Sequence, residues 1–466
     1  MRETISNYKY IDYIYIFLIL FAPLSLGSAH IWSYSLMQII IFALFIFLTY
    51  KTKLFHENIK DLKPVYYSLF SFLGFAAFQI LPLPPSFIAF LSPTAHKVYI
   101  ELIPDYFELY SINAKYKSLS LYSYATKAEL LKYTAYFLSF YILTKSNIGR
   151  KRLKLYLYSL ITLAMIETLI GLYAYFSANL VFDLIFDKNT QVSGTYVNRN
   201  HFAGLLGMIL PLGINLLIYN FLSYGDKNLS FKERIMAFLS SKKGTKNTIY
   251  FIFIVLIFMG IIASHSRMGI FSCIFSIFIT ASLWISSGKK KTTQILIGIF
   301  ISVMAITLWM GIQPLEDRFS KMSENFSVGR QILWQSTINL INDYKFFGAG
   351  FGVYEHILRH YVPVDFPGRL TFINHAHNDY LELLSSGGFI GSLLLLMANI
   401  YFFKTIMVNR HYAYGLFAKS MIIGGTSSIA YIFMHSFSDF NLQIPANAFI
   451  LTIIYSITYS ASKIRK

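Results

Sequence analysis

Residues 374–391, NHAHNDYLELLSSGGFIG, set two histidines, an aspartate and a glutamate directly before one of the most apolar runs of the chain. Three chemistries fit those residue types. His375, His377 and Asp379 resemble a metal-ligand set, a histidine titrating near neutrality is a natural general base, and Asn374, Asn378 or Asp379 can cap a helix. Spacing weighs against the metal. Helical residues two apart point in different directions, and facing ligands need a separation of three or four. The zinc-type H-E-x-x-H pattern is absent, so a metal would need an extended 374–378 and a ligand from elsewhere. A base needs only one of the two histidines, with Asn378 and Asp379 close enough to help orient it.

Other polar residues stand at the ends of apolar runs. GTYVNRNHFAGLL (194–206) carries Arg199, Asn200 and His201; SHSRMGIF (264–271) carries Arg267; HSFSDFNLQIPANA (435–448) carries Asp439. Segment 313–378 holds Arg318, Arg330, Arg359 and Arg369. Each has a plainer explanation. Arg267 can snorkel to headgroups, Asn198 or Asn200 can simply cap a helix, and Arg330 can be a surface residue. Arg330, however, follows Gly329 near the start of a helix expected over 329–343, the wrong end for a cation. An anion held by Arg330 and free backbone N–H groups would resolve that mismatch. Two guanidinium groups and a histidine suit one chemistry: the arginines grip a diphosphate and stabilise it as it leaves, while the histidine activates a hydroxyl. No cofactor is required.

The elements that must position these groups are membrane helices. Of the 466 residues 55% are hydrophobic, with mean hydropathy +0.52, above the usual soluble range of about 45–50%. Apolar runs of spanning length recur. Twelve spans are expected, at 12–30, 35–50, 65–81, 127–144, 153–176, 201–223, 248–264, 268–286, 293–312, 379–403, 413–435 and 445–461. The second is short and the tenth long, so tilt or a partly interfacial position is expected there. With a cytoplasmic N-terminus, the segments 1–11, 51–64, 145–154, 224–247, 287–292, 404–412 and 462–466 face the cytoplasm and hold 25 of the chain's 40 Lys and Arg. The short connections 31–34 and 436–444 hold none. This is the positive-inside alternation; it accounts for the net charge of +18 without nucleic acid. Both termini are then cytoplasmic, and every candidate residue above faces outward. The single cysteine, Cys273, allows no disulfide within the chain, and the first apolar run reads as an uncleaved helix. The expected fold is thus all-α and polytopic, one membrane domain over 1–466, with outer loops at 82–126 and 313–378.

In series, GTYVNRNHFAGLLGMILPL (194–212), SHSRMGIF, VGRQILWQSTINLINDYKFFGAGFGVY (328–354), HAHNDYLELLSSGGFIG and HSFSDFNLQIPANA resemble the O-antigen ligase and polymerase superfamily of bacterial envelope glycan enzymes. KSLSLYSYATKAELLKYTAYFLSF (117–140) also fits, as a short extended stretch before a span. The resemblance implies a C-type glycosyltransferase fold with a large outer loop before helix 10. It also implies a metal-independent, inverting transfer of a glycan from undecaprenyl diphosphate to an acceptor on the outer side of the inner membrane. Its motifs put Arg267 and Arg330 on the donor diphosphate and His377 at the base. Arg199, Asn200, His201, His375, Asn378, Asp379 and Asp439 would be donor or acceptor contacts. His375 is an additional histidine, so either it or His377 takes the proton. Members differ in acceptor: lipid A core or another lipid, a second lipid-linked repeat unit, or a protein. The rival from another class is a transporter of lipid-linked glycans, which should place discontinuous helices and charges near the bilayer midplane.

Overall fold

The computed structural model describes residues 9–52, 60–102, 116–146, 148–177, 191–223, 233, 242–287, 325–364, 366 and 373–465. They form α1 (Tyr10–Leu24), α2 (Ile31–Lys51), α3 (Lys63–Phe78), α4 (Pro85–Leu91), α5 (Pro93–Leu102), α6 (Ser123–Lys145) and α7 (Arg150–Phe176). Next come α8 (Arg199–Leu222), α9 (Lys242–Ala263), α10 (Arg267–Ser286), α11 (Asn325–Asp343) and α12 (Tyr354–Ile357). The last three are α13 (Asp379–Tyr412), α14 (Gly415–His435) and α15 (Pro445–Ser462). Six of them, α2, α7, α8, α10, α13 and α14, are long and apolar enough to cross a bilayer. Every expected span overlaps a helix except 293–312, which lies outside the described residues, as do parts of both expected outer loops.

Two boundaries differ from the sequence expectation. The first apolar run stops being helical at Leu24, because 25–28 turns through left-handed φ at Leu26, Gly27 and Ser28. The second is a helix of 21 residues, about 31 Å at 1.5 Å per residue, and so is not short. At the centre stands α8, whose apolar window is 94% buried. It packs against α9, α14 and α10, so the segment opening with Arg199–His201 is held on all sides.

The long α13 is really two helices. Gly388 breaks it at φ 61°, ψ −168°, a conformation open to glycine. The FFGAGFG turn at 346–352 fills the break with backbone. Ala349 N–H donates to Ser385 O at 2.9 Å and Gly350 N–H to Ser386 O at 3.0 Å, while Phe389 and Ile390 donate back to Lys345 O and Phe346 O at 2.8 and 3.2 Å. Gly348 lies so close to the Ser386 carbonyl that a side chain would collide with it. From α3's end, Gln79 Nε2 donates to Phe347 O and Ser386 O at 2.6 and 3.0 Å. The Ser385 and Ser386 carbonyls and the Phe389 and Ile390 amides freed by the break thus have partners, as burial requires.

The break divides the helix by environment. From Phe389 onward, Phe389, Leu393, Leu396 and Ile400 are each more than half exposed, an apolar stripe of the kind lipid covers. Before it, Asp379, Glu382, Ser385 and Ser386 are buried. Residues 389–412 alone span about 36 Å, enough for a bilayer. The titratable head of α13 therefore need not lie in the apolar layer. The small residues 385–388 admit a loop rather than a neighbouring helix.

Candidate functional site

Asp439 is the centre. It sits in the turn between α14 and α15 and is 1% exposed. His377 Nδ1 and His201 Nε2 face its Oδ1 at 3.5 and 3.6 Å. These are charge contacts, longer than a strong hydrogen bond. Burial alone would raise the Asp439 carboxyl, but the two imidazoles hold it well below the usual carboxylate range. The adjacent Phe440 ring touches three histidines. It stacks on His375 at 4.2 Å and meets His201 and His377 edge-on at 4.4 and 4.9 Å. Segments near 201, 376 and 439 are thereby gathered around one aromatic ring.

Local structure explains how each arrives. Asn198 caps α8 by accepting from Asn200 N–H at 2.8 Å, and Asn447 Nδ2 donates to the His201 carbonyl at 3.0 Å. Asn378 caps α13, its Oδ1 accepting from Tyr380 and Leu381 N–H at 3.0 and 3.1 Å while its Nδ2 donates to Phe437 O at 3.0 Å. Asp379 Oδ2 accepts from Ser436 Oγ at 2.6 Å and from Leu442 N–H at 3.2 Å. The expectation that Asn378 and Asp379 orient a histidine is therefore replaced. Both clamp the 436–442 turn, and Asp439 faces the ring instead.

The two candidate bases have different surroundings. His375 Nδ1 lies 2.8 Å from Glu382 Oε1, whose other oxygen accepts from Ala376 N–H at 3.0 Å. Burial disfavours a charged His375, but Glu382 outweighs it and the imidazole titrates above its ordinary value. His377 has φ 49°, left-handed backbone that a non-glycine residue adopts at a cost. Its neighbours hold it there: Glu382 grips Ala376 N–H, Trp334 Nε1 donates to Ala376 O at 3.0 Å, and Asn378 caps the helix that follows.

Trp334 also brings in Arg330, one helical turn earlier on the same face of α11. Arg330 lies within the field of Asp439 and of His435. Burial pulls its guanidinium below the ordinary value and Asp439 pulls it back; an arginine stays charged either way. The helix begins at Asn325, not 329, so Arg330 is in the second turn and the open amide end is not beside it. Arg267 opens α10, capped by Ser266 Oγ, which accepts from Gly269 N–H at 3.3 Å. Gly269 packs on Ala203 of α8, setting the start of α10 beside that of α8. Arg199 donates to Gln191.

Sequence reasoning missed four contributors. Phe440 and His435 stood inside a quoted motif, and Trp334 is four residues from Arg330, a spacing that carried the signal. Glu382 stood in the 374–391 stretch without an assigned role. It stands with His375 at the end that holds Asp439. Among the described residues no three His, Cys, Asp or Glu are arranged to hold a metal ion.

Chemically, the cluster offers an imidazole facing a carboxylate, a second imidazole paired with Glu382 and a guanidinium in the same field. Residues 252–396 match the family model described as O-antigen ligase; no curated protein matches the chain. The matched segment holds Arg267, Arg330, His375 and His377, while His201 and Asp439 lie outside it. Together with the apolar helices, the match bears out the resemblance to the O-antigen ligase superfamily and supports a membrane enzyme of ligase or polymerase type.

Proposed function

We propose that this membrane enzyme transfers a glycan from undecaprenyl diphosphate to an acceptor hydroxyl of lipid A core or another envelope molecule, on the outer side of the bacterial inner membrane. The observation that carries the proposal is His377 facing Asp439 at 3.5 Å with Arg330 in the same field. With Nδ1–H toward the carboxylate, His377 Nε2 is free to accept a proton. It takes the acceptor hydroxyl proton as the oxygen attacks the anomeric carbon from the face opposite the diphosphate. The bond from sugar to diphosphate breaks, undecaprenyl diphosphate leaves, and the configuration inverts. Arg330 and Arg267 bind the diphosphate and stabilise its growing charge. His375 is engaged by Glu382 at 2.8 Å, which supports His377 as the base. His201 positions Asp439. No step needs a metal.

Transport fits less well. The discontinuous helix that it would use is present at Gly388, but the 346–352 backbone fills the break, leaving no opening for substrate there.

The test is reconstitution. The purified protein receives an undecaprenyl-diphosphate oligosaccharide with lipid A core, with a protein acceptor, or with a second donor molecule. One acceptor is expected to gain sugar, equally in EDTA. Transfer to none of them overturns the proposal, transfer only to the second donor makes the enzyme a polymerase, and loss in EDTA overturns metal independence.

A further inference from the structure

His435, the last residue of α14, is fully buried, and neither ring nitrogen has a hydrogen-bond partner among the described residues. It packs edge-on against Tyr431 at 5.8 Å and lies within the fields of Asp439, His201 and Arg330. It is not alone. Asp439 Oδ2, Asn441 Nδ2 and His201 Nε2 are also buried without a hydrogen-bond partner. A buried polar atom left unpaired costs about 1–3 kcal/mol, and such atoms are normally few and scattered. Others are spread along the chain, but five such atoms belong to residues 201 and 435–441, which points to something that completes them.

Their chemistry says what. A neutral imidazole offers one donor and one acceptor, the Asp439 oxygen an acceptor, and the Asn441 amide a donor. A phosphate, which only accepts, would meet the Asp439 carboxylate with repulsion. A hydroxyl both gives and accepts, so a pair of neighbouring hydroxyls satisfies the set. Arg330 fixes where those hydroxyls belong. It lies within the electrostatic field of both Asp439 and His435 and is the residue assigned to the diphosphate above. The group next to that diphosphate is the first sugar of the donor.

We infer that His435, with Asp439 Oδ2 and Asn441 Nδ2, forms a subsite that reads hydroxyl groups on the sugar attached to the donor diphosphate. This rests on the donor reading of Arg330. His435 is then a specificity residue for the donor, distinct from the base, and discriminates glycosylated carrier from spent carrier. Product release would follow from the same contacts, since bare undecaprenyl diphosphate cannot make them.

The experiment is binding to the full-length protein in nanodiscs. The probes are undecaprenyl diphosphate and its glucosyl, galactosyl and N-acetylglucosaminyl derivatives, measured with wild type, His435→Phe, His435→Gln and Arg330→Ala. Wild type is expected to hold at least one glycosylated lipid about tenfold more tightly than the bare one, the scale of one or two hydrogen bonds. His435→Phe should abolish that preference while leaving affinity for undecaprenyl diphosphate unchanged; His435→Gln, which keeps a donor and an acceptor, should retain part of it. A preference undiminished in His435→Phe overturns the inference and assigns water to the unpaired atoms, and no preference in wild type overturns it too. Loss of all binding in His435→Phe is judged by His435→Gln: a preference equal to wild type or absent there also overturns the inference. Equal binding of undecaprenyl diphosphate by wild type and Arg330→Ala overturns the diphosphate reading instead.

Discussion

The two ends of the bundle use the same residue types to opposite effect. At one end Asp12 accepts from Arg152 Nε at 2.8 Å and from Tyr156 at 2.6 Å. Asp61 accepts from Asn409 at 2.8 Å and from Lys463 at 2.9 Å. Burial would raise the Asp61 carboxyl, and these partners bring it below its ordinary value. Arg150 and Lys154 rest over the Tyr219 and Phe417 rings. At the other end Asp439 faces two imidazoles beyond 3.4 Å and keeps one oxygen without a hydrogen-bond partner. The first end ties α1 to α7, and Asp61 to α13 and to Lys463 after α15, with short polar contacts. The second leaves polar groups open to a ligand. Saturated charge holds a fold, and unsaturated charge held rigidly does chemistry, because only groups with spare hydrogen-bonding capacity can gain interactions as a reaction proceeds.

Substitutions should separate the two ends. His377→Ala and Arg330→Ala are each expected to lower transfer by about 10²-fold or more with little change in melting temperature. Near-normal transfer in both would erase the distinction. Asp12→Ala should do the reverse. It strands Arg152 in a mostly buried pair and should cost about 2 kcal/mol of stability, read as a lower melting temperature, while kcat of the surviving protein stays within about twofold of wild type.

The pH profile sharpens the comparison further. Transfer is expected to fall on the alkaline side as His375 loses its charge beside Glu382. The His375 pKa is raised on folding, so the stability from its Glu382 contact is complete below the ordinary value of 6.5 and is lost as pH rises through the elevated one. Glu382→Gln removes the raising charge, so the alkaline limb should move to lower pH; an unmoved limb would remove His375 from the charged set. The smallest effect belongs to Lys463→Met. Lys463 and Asp61 are each about a third exposed, 38% and 31% by side chain, and screening should limit the cost to under about 1 kcal/mol with transfer unchanged.

How much of this was legible follows from what each feature depends on. The helices were, since their apolar length must match a bilayer whatever their partners. Asp61, Asn409 and Lys463, from three segments expected on one side, meet through direct contacts. His377, Arg330 and Asp439 were named from motifs, and the structure gathers them. The break at Gly388 was not legible. SSGG suits close packing against anything, and only the FFGAGFG backbone that enters it selects a loop over a helix.

The sequence by itself determined composition, helix positions and the residue types at the ends of the apolar runs, because these follow from hydrophobic period and caps along one chain. Tertiary structure alone decided which carboxylate faces the base. Asn378 and Asp379 adjoin His377 in sequence yet bond to the 436–442 turn, while Asp439, 62 positions away, meets the ring. It also gave the two histidines different surroundings, since His375 pairs with Glu382 seven residues on and His377 is held left-handed by Trp334 and Glu382 acting on its neighbour. Pairings across such separations depend on how helices pack around α8, and no local pattern encodes them.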